Sequence, residues 1–464
     1  MIEAGALRPE APLPSSRRLA EDLELARSVV VEAYQQLTAE GYLTSIDRSG
    51  TRVARHALGS ESLRDTTTSA DQPAMTDGGR PVRWDLRTGL ADVGGFPRGE
   101  WLACLQQVLQ TATPAHLEYP PLSGTVELRR ELATYLGRVR AARVTADTIM
   151  VTSGFAQGLG LLCNMLADAG HTTVAVEDPG HPGQRRFIEG IGLHTVAVPV
   201  DDEGIDVEAL AKSGARATLL TPANQFPTGV VLSERRREAL TAWTRQVDGL
   251  VIEDDYDAEF WYNNARRPPS LQGIDPEHVV YGGSASKTLA PGLRLGWLAV
   301  PERLTLALEH VRSRQDLGAS TLDQLAYAEF IATGRLDRHL RRMRKRYHER
   351  FETFADTVSA LLPDLRLTSS AAGLHAFLKL PVQINEQALV TAARRLGVLV
   401  RGAKHFTFDR PPTSGLVIGF APHTRDALVC AVAALASAAQ TTRADNVTHL
   451  RSVTASEPRQ RNAG

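Results

Sequence analysis

The sequence has little cysteine and no long apolar run. Its 464 residues include only three cysteines, Cys104, Cys163 and Cys430. Three scattered cysteines in apolar contexts do not make a disulfide framework, so we expect buried, reduced thiols and a cytoplasmic protein. We find no signal peptide and no apolar segment long enough to cross a bilayer, so no membrane partner is expected. No metal site is predicted.

Net charge is also nearly absent. The 52 basic and 53 acidic residues give a formal net charge of −1, and the first 57 residues are roughly balanced as well. This argues against a protein that binds nucleic acid or membranes without specificity, because such binding depends on a broad cationic field. Any DNA recognition would have to be local and dimeric.

The chain is too long for one hydrophobic core and predicts two or three domains. We expect one domain over residues 1–56 and another over residues 83–437, with a smaller α+β lobe from about residue 330. Residues 57–82 are polar and rich in small side chains, as in a flexible linker. Residues 438–464 lack periodicity, which predicts a disordered tail.

The most informative segment surrounds Lys287. Residues 282–287 read GGSASK and follow the apolar run at residues 279–281, which predicts a tight loop after a buried strand. Small residues allow a ligand to approach the backbone, and Ser284 and Arg294 could hold an anion. A desolvated lysine beside a cation becomes a nucleophile, so this loop suggests Schiff-base chemistry with a phosphorylated aldehyde. The alternative is a solvated loop lysine.

A second strand carries complementary chemistry. Residues 250–257 read LVIEDDYD, an apolar run with polar residues at its carboxyl end, where open α/β sheets bind ligands. Asp254 could pair with a protonated pyridine nitrogen, and Tyr256 could donate to a ring oxygen. The alternative is an acidic surface turn. Similar apolar runs alternate with helical segments, which predicts a mostly parallel sheet covered on both faces.

The N-terminal segment has a different pattern. A serine-capped helix near residues 13–23 is followed, after a break at residues 24–26, by a second helix at about residues 27–40. Residues 41–53 read as two short strands around a glycine-containing turn. This order describes a winged helix-turn-helix, with a small helical cap on a larger domain as the alternative.

Residues 83–437 resemble the fold-type I aminotransferases, which use pyridoxal 5′-phosphate (PLP). The resemblance implies a large parallel-sheet domain, a smaller lobe and a cofactor held covalently by the catalytic lysine, Lys287. Asp254 would pair with the pyridinium nitrogen and Tyr256 with the 3-oxygen, while Ser284 and Arg294 would hold the phosphate.

Four further motifs extend the resemblance. VTSGFAQ at residues 151–157 is similar to the phosphate-binding turn, which implicates Gly154 and Phe155. His181 stands where a ring stacks on the cofactor, and Asn224 stands beside the cofactor ring, where relatives often have histidine. Tyr119 resembles the residue that, in family dimers, reaches the phosphate of the neighbouring subunit.

The N-terminal amino-acid sequence resembles the DNA-binding domain of GntR-type regulators. Together with the aminotransferase-like region, it makes the whole chain resemble the MocR/GabR subfamily. The resemblance implies phosphate contacts from Ser16 and Arg17, entry of Arg27 into the major groove, and backbone contacts from Arg48 and Arg52 in the wing. Relatives usually have another helix before the position of Ile2, so we expect either a misassigned start site or a truncated module with impaired DNA binding. Relatives also place glycine and serine in the turn that reads ELAR here.

One departure concerns the ligand. Aminotransferases and many of these regulators carry an arginine for the substrate carboxylate in the strand before GFA, and Val417 occupies that position. No arginine occurs from residue 411 to 423, although Arg401 on another element is a candidate substitute. We therefore predict an effector other than an ordinary α-amino acid, either PLP itself or an amine.

Three functions compete. A homodimeric PLP-binding transcriptional regulator, whose partners are operator DNA and a small effector, explains both halves of the chain. A genuine aminotransferase with a vestigial DNA-binding segment is the alternative. A structural protein without a cofactor site would not need Lys287, Asp254, Ser284 and Arg294 together.

Overall fold

The computed structural model describes residues 10–39, 43–46, 50–54, 76–77, 80–262, 267–368, 372–409 and 413–455. The chain divides into two units, residues 1–75 and residues 76–464. The boundary falls inside the predicted linker, most of which lies outside the described residues.

The first unit contains two helices followed by a β-hairpin. Its elements are α1 (Ser16–Asp22), α2 (Arg27–Ala39), β1 (Leu43–Ile46) and β2 (Gly50–Val53), with β1 and β2 antiparallel. Ser15 caps α1, because its hydroxyl accepts a hydrogen bond from the backbone N–H of Arg18 at 3.3 Å. The helices and the hairpin enclose a small core. Its buried side chains are Ala20, Val30, Leu43 and Val53.

The second unit begins with short strands and two helices and continues as alternating strands and helices. Its strands up to residue 299 are β3 (Thr76–Asp77), β4 (Arg80–Pro81), β5 (Trp84–Asp85), β6 (Ile149–Thr152), β7 (Thr173–Asp178), β8 (His194–Asp201), β9 (Gly204–Ile205), β10 (Ala217–Leu220), β11 (Leu250–Asp254), β12 (Val279–Ser284) and β13 (Gly296–Ala299). Its helices over the same range are α3 (Arg98–Thr111), α4 (Val126–Arg140), α5 (Phe155–Asp168), α6 (Pro182–Gly190), α7 (Val207–Lys212), α8 (Glu234–Val247), α9 (Leu271–Ile274) and α10 (Ala285–Thr288).

Eight of these strands form one mixed sheet in the order β6-β13-β12-β11-β10-β7-β8-β9. Strands β12, β11, β10, β7 and β8 run parallel to one another, and β13 is antiparallel to both β12 and β6. Buried clusters lie on both faces of the sheet, and α5, many of whose side chains are buried, contributes to one of them. The predicted, mostly parallel, doubly covered sheet is confirmed.

A smaller lobe follows. Its elements, together with the helices that lead to it, are α11 (Thr305–Ser313), α12 (Thr321–Ala332), α13 (Arg335–Leu361), β14 (Arg366–Leu367), β15 (His375–Lys379), α14 (Glu386–Arg395), β16 (Val398–Leu399), β17 (Arg401–Gly402), β18 (Gly415–Gly419) and α15 (Arg425–Ala455). Strands β14, β15, β18 and β17 form an antiparallel sheet in that order. Helices α13, α14 and α15 pack around the core of this lobe.

Two expectations need correction. Helix α15 continues through Ala455, so residues 438–455 are helical rather than disordered, and the buried Ala438 and Ala439 join the core of the small lobe. Cys104 and Cys163 are buried as expected, but Cys430 is exposed. Cys430 lies two residues after the buried Leu428 but faces outward, because nearby residues of a helix point in different directions.

No helix within the described ranges is long and apolar enough to span a membrane. Across the same residues, no group of three or more histidine, cysteine, aspartate or glutamate side chains is placed to hold a metal ion.

Candidate functional site

A cavity of about 380 Å³ lies at the carboxyl end of the large sheet. Asp254 and Gly282 are directly paired in the parallel strands β11 and β12, so the segments that follow both strands emerge side by side. The cavity collects most of the residues that the sequence singled out. Those lining it are Phe155, His181, Asp254, Tyr256, Ser284, Lys287 and Arg294.

Lys287 enters the cavity from the short helix α10. Its ammonium group donates a hydrogen bond to the carbonyl oxygen of Gly89, from a segment about 200 residues earlier in the chain. Burial lowers the pKa of Lys287, and the carboxylates of Asp257 and Asp254 oppose that effect. A lysine held in this way is more easily deprotonated than a surface lysine, which suits a nucleophilic amine.

Asp254 is a buried carboxylate that forms no ion pair with a lysine, arginine or histidine of the described residues. Its Oδ2 accepts a hydrogen bond of 2.6 Å from the side-chain amide of Gln184, at the start of α6. Burial raises the pKa of Asp254 to about 7, which the bond from Gln184 and the charge of Lys287 only partly counteract. A ligand that brought a protonated ring nitrogen would supply the missing charge.

This buried acid predicts a pH-dependent stability difference in the ligand-free protein. The folded state holds the Asp254 proton more tightly than the unfolded chain, in which the ordinary pKa is 3.8, so its contribution to stability is complete below about pH 4 and is lost as the pH rises towards 7. Asp254→Asn removes this titration. The free energy of unfolding of the variant relative to wild type should rise by about 2 kcal/mol between about pH 5 and pH 7.5.

Urea denaturation at a series of pH values measures this difference. Asp356→Asn, at an exposed position of α13, is the matched control and should follow wild type throughout. A difference between Asp254→Asn and wild type that is independent of pH would contradict the prediction.

Tyr256 and Asn224 form a hydrogen-bonded group beside Asp254. The Tyr256 hydroxyl donates to the backbone carbonyl of Asn224 at 2.8 Å, and the Asn224 amide lies 3.3 Å from that hydroxyl and 3.0 Å from Oδ2 of Asp257. Oδ1 of Asn224 is buried and accepts no hydrogen bond from the described residues. The group therefore offers a phenol and an amide to the oxygen substituent of a bound ring.

The backbone around Gly373 approaches this group closely. Gly373 has φ +75°, and a Cβ there would collide with the side chains of Asn224 and Asp257. The backbone N–H of Leu374 donates to Asp257 at 3.2 Å. The small lobe thus fixes Asp257, which in turn fixes the amide of Asn224.

The opposite end of the cavity suits an anion. Gly154, with φ +84°, stands at the N-terminus of the 14-residue helix α5 and brings no side chain to cap it. Arg294 donates to the carbonyl oxygen of Ser153 at 2.7 Å, which places its guanidinium against this helix end, and a Cβ on Gly154 would lie 3.0 Å from Arg294 Nη2. Ser284 caps α10 by accepting from the N–H of Ser286. Helix N-termini with a nearby guanidinium bind phosphate groups readily.

His181 forms one wall of the cavity. Its Nδ1 accepts hydrogen bonds from the N–H groups of Gly183 and Gln184, at 3.1 and 3.2 Å, and so caps α6. Burial lowers its pKa, and the charge of Lys287 lowers it further, so the neutral imidazole is favoured. Its ring lies 5.4 Å from the ring of Phe226, centroid to centroid.

Val417 lies in an apolar environment. It is fully buried in a cluster with Phe226, Phe377 and Phe406, against which Tyr256 packs. A carboxylate inside this cluster would lose its hydration, and none of the cluster's own side chains is a cation that could compensate. Arg401 is the cross-strand neighbour of Val417, so both side chains lie on the same face of the small sheet.

Three residues predicted for the cofactor site, Gly154, Asn224 and Tyr119, do not line this cavity. Tyr119 is 84% exposed and does not line the cavity of its own chain, so its predicted role for a neighbouring subunit stays a prediction. Arg48 lies outside the described residues.

Sequence reasoning missed several residues of the site. Gln184, Phe226 and His375 line the cavity, and Asp257 supports it from behind. Asp257 had a detectable signal, because it ends the acidic run that contains Asp254. Gln184 had only its position three residues after His181, which does not reveal that it reaches Asp254.

In the first unit, four of the five predicted DNA-contacting residues lie within the described residues. Ser16 and Arg27 begin α1 and α2, and the side chain of Arg17 is 81% exposed. Arg52 on β2 donates to the backbone carbonyl of Glu10 at 3.0 Å. Glu24 in the interhelical turn has φ +54°, a conformation that favours glycine.

Known families cover both units. The family "Aminotransferase class I and II" matches residues 95–435, and "Bacterial regulatory proteins, gntR family" matches residues 1–53. The solved structure of LysN, an α-aminoadipate aminotransferase from Thermus thermophilus, superposes with a TM-score of 0.69 at 24% identity, over 78% of this chain and 92% of LysN. The multiple substrate aminotransferase from Thermococcus profundus gives 0.70 at 23% identity, over 79% and 92%. These two likenesses show the shared fold.

Two curated relatives that match over nearly the whole chain are named as regulators. The HTH-type pyridoxine biosynthesis transcriptional regulator PdxR of Corynebacterium glutamicum is 32% identical over 94% of this chain and 93% of its own length. The probable rhizopine catabolism regulatory protein MocR of Rhizobium meliloti is 30% identical over 90% and 87%.

These matches favour the regulator over the aminotransferase alternative. Aminotransferases of class I and II form a PLP-dependent family, and GntR-type helix-turn-helix regulators bind operator DNA. With both domains in one chain and regulators as its full-length relatives, the protein belongs to the MocR-type transcriptional regulators of the GntR family.

Proposed function

We propose that this protein binds PLP in the cavity at Lys287 and that, as a cytoplasmic homodimer, it reports the state of that cofactor to operator DNA. The observation that carries the proposal is the placement of Lys287 and Asp254. A primary amine and a buried carboxylate, which forms no ion pair within the described residues, line one cavity at the ends of the adjacent parallel strands β12 and β11. The chain that holds them also carries a GntR domain.

The residues present fit this cofactor. The buried carboxylate of Asp254 would pair with the protonated ring nitrogen, and Tyr256 with Asn224 would bind the ring oxygen. The amides following Gly154, together with Phe155, Ser284 and Arg294, would hold the phosphate. His181 would lie against the ring. When bound, PLP supplies an aldehyde that condenses with a primary amine, and Lys287 is the amine at hand.

The surroundings of Val417 support an effector other than an α-amino acid. The cluster around this residue is apolar and buried, so a carboxylate there would cost several kcal/mol of desolvation. PLP itself, or an amine, meets no such penalty. The PdxR relative is named as a regulator of pyridoxine biosynthesis, which agrees with a regulator that responds to the vitamin B6 state of the cell.

In the first unit, Arg27 begins the second helix and is exposed to solvent, as a residue that reads the major groove must be. Ser16, Arg17, Arg48 and Arg52 would bind the DNA backbone. Tyr119, exposed in the single chain, would complete the phosphate site of the second subunit.

Fluorescence anisotropy with labelled DNA from upstream of the protein's own coding region tests this function. Arg27→Ala should weaken binding about 10–100-fold, the effect of losing one base contact. Arg341→Ala, at an exposed position of α13, is the control and should bind like wild type. Binding should also change when PLP is added. Failure of the wild-type protein to bind this DNA at low salt, together with rapid turnover of common amino acids, would instead support the aminotransferase alternative.

A further inference from the structure

A second cavity, of about 270 Å³, adjoins the cofactor cavity. The two share Thr88, His181 and Gly183 as lining residues. The second cavity is lined by four basic side chains besides His181, and no aspartate or glutamate of the described chain lines it. We call it the basic pocket, defined by Arg87, Arg186, Arg401 and His405.

Two guanidinium groups in the basic pocket have no partner among the described residues. Neither the Arg186 nor the Arg401 side chain makes a hydrogen bond or an ion pair there. The neighbouring Arg185 differs, since it pairs with Glu189 at 2.9 Å and stacks 4.6 Å above the Phe408 ring. Arg87 is held by Asp85 at 2.7 Å. The pocket therefore combines one neutralised arginine with two whose charge is not balanced by a direct contact.

The two histidines report the same positive field. Burial lowers the pKa of His405, and the charges of Arg401 and Arg186 lower it further. Burial and the charge of Lys287 lower the pKa of His181, and Arg186 and His405 add to that effect. The cations around each imidazole make its protonation less favourable. This is expected beside guanidinium groups that no carboxylate balances.

The strand register relates the pocket to Val417. Arg401 on the edge strand β17 lies directly opposite Val417 on β18, so a cation stands one strand away from the position of the carboxylate-binding arginine. Arg186 reaches the same pocket from α6, whose N-terminus supplies His181 and Gln184 to the cofactor cavity. Both arginines therefore line the pocket that adjoins the cofactor cavity.

We propose that the basic pocket is a subsite for an anionic group of the effector, a carboxylate or a phosphate, held between Arg186 and Arg401. The inference rests on the proposed function and narrows it. The effector carries its acidic group away from the reacting amine or aldehyde, beyond the position that Val417 occupies. Guanidinium forks are suited to such groups, because they donate two parallel hydrogen bonds to carboxylate or phosphate oxygens.

Isothermal titration calorimetry on the full-length, PLP-supplemented protein at constant ionic strength tests the subsite. The probes are inorganic phosphate, glutarate and the uncharged glutaramide. Wild type should bind one of the two anions saturably and should not bind glutaramide. Arg186→Gln and Arg401→Gln should each weaken that binding by about tenfold or more. Arg366→Gln, at an exposed position of β14, should match wild type.

The outcomes separate the inference from the proposed function. Tighter binding of glutarate would identify a carboxylate group and tighter binding of phosphate a phosphoryl group. The absence of saturable binding of either anion, or equal affinities in wild type and both variants, would overturn the subsite. The visible absorption of PLP is recorded in every sample, and its absence from wild type would overturn the cofactor proposal. Whether or not that absorption appears, the comparison of anion binding by wild type, Arg186→Gln and Arg401→Gln tests the subsite.

Discussion

Lys287→Ala is expected to abolish the visible absorption band that the wild-type protein should acquire with PLP. The band requires a covalent bond between a protein amine and the aldehyde, and Lys287 is the lysine whose side chain lines the cavity. PLP would then be held only by its ring and phosphate contacts. We expect its affinity to fall about 100-fold, the equivalent of about 2.7 kcal/mol.

Two further variants make this result specific. Lys287→Arg keeps a cation that can donate to Gly89 but has no nucleophilic amine at neutral pH, so it should also lack the band. Lys345→Ala, at an exposed position of α13, should retain it. Absorption spectra measure the visible band, and equilibrium dialysis measures the affinity for PLP. A band that persisted in Lys287→Ala would show that another amine reacts, and the proposed site would be wrong.

Arg140→Met is expected to lower the free energy of unfolding far more than the loss of an exposed ion pair would. Arg140 and Asp255 form an ion pair of 2.6 Å whose side chains are 1% and 2% exposed, directly beside Asp254. The Tyr281 hydroxyl also donates to Asp255, at 2.7 Å. Removing the arginine would leave a buried carboxylate close to other acids, which typically costs about 3–5 kcal/mol.

Arg138→Met in the same helix is the matched control. Arg138 pairs with Asp337 at 2.8 Å, but the two side chains are 55% and 39% exposed, so its loss should cost less than about 1 kcal/mol. Thermal unfolding of the two variants gives the comparison. Adding Asp255→Asn to Arg140→Met should recover part of the loss, because the unpaired charge disappears. Equal melting temperatures for Arg140→Met and Arg138→Met would contradict the assignment of a stabilising buried pair.

The fold was largely accessible from the sequence, because its signals are local. An apolar run followed by polar residues identified β11 and β12, and the serine cap with two helical periods identified α1 and α2. The end of α15 was not accessible in this way. Residues 438–455 show no clear amphipathic pattern that would predict a helix. In the structure α15 continues past residue 437, and Ala438 and Ala439 pack in the core of the small lobe.

The candidate site was only partly accessible. Lys287, Asp254 and Tyr256 were found because each follows or ends a strand and carries a chemically specific group. Gln184 and Asp257 were missed, since their roles depend on partners distant in the chain. Gln184 reaches Asp254 across 70 residues and Leu374 reaches Asp257 across 117.

The sequence by itself determined the GntR-like segment and the absence of an arginine at position 417, and it predicted the chemistry at Lys287 and Asp254. These follow from residue type and short-range order. Only the tertiary structure decided that Asp254 is buried without an ion pair among the described residues, that Val417 is buried in a cluster with aromatic rings, and that Arg186 and Arg401 line one pocket. Burial and charge balance are properties of all the elements that pack around a group. They are fixed when α6, β17 and β18 come together, and no single segment of the chain contains them.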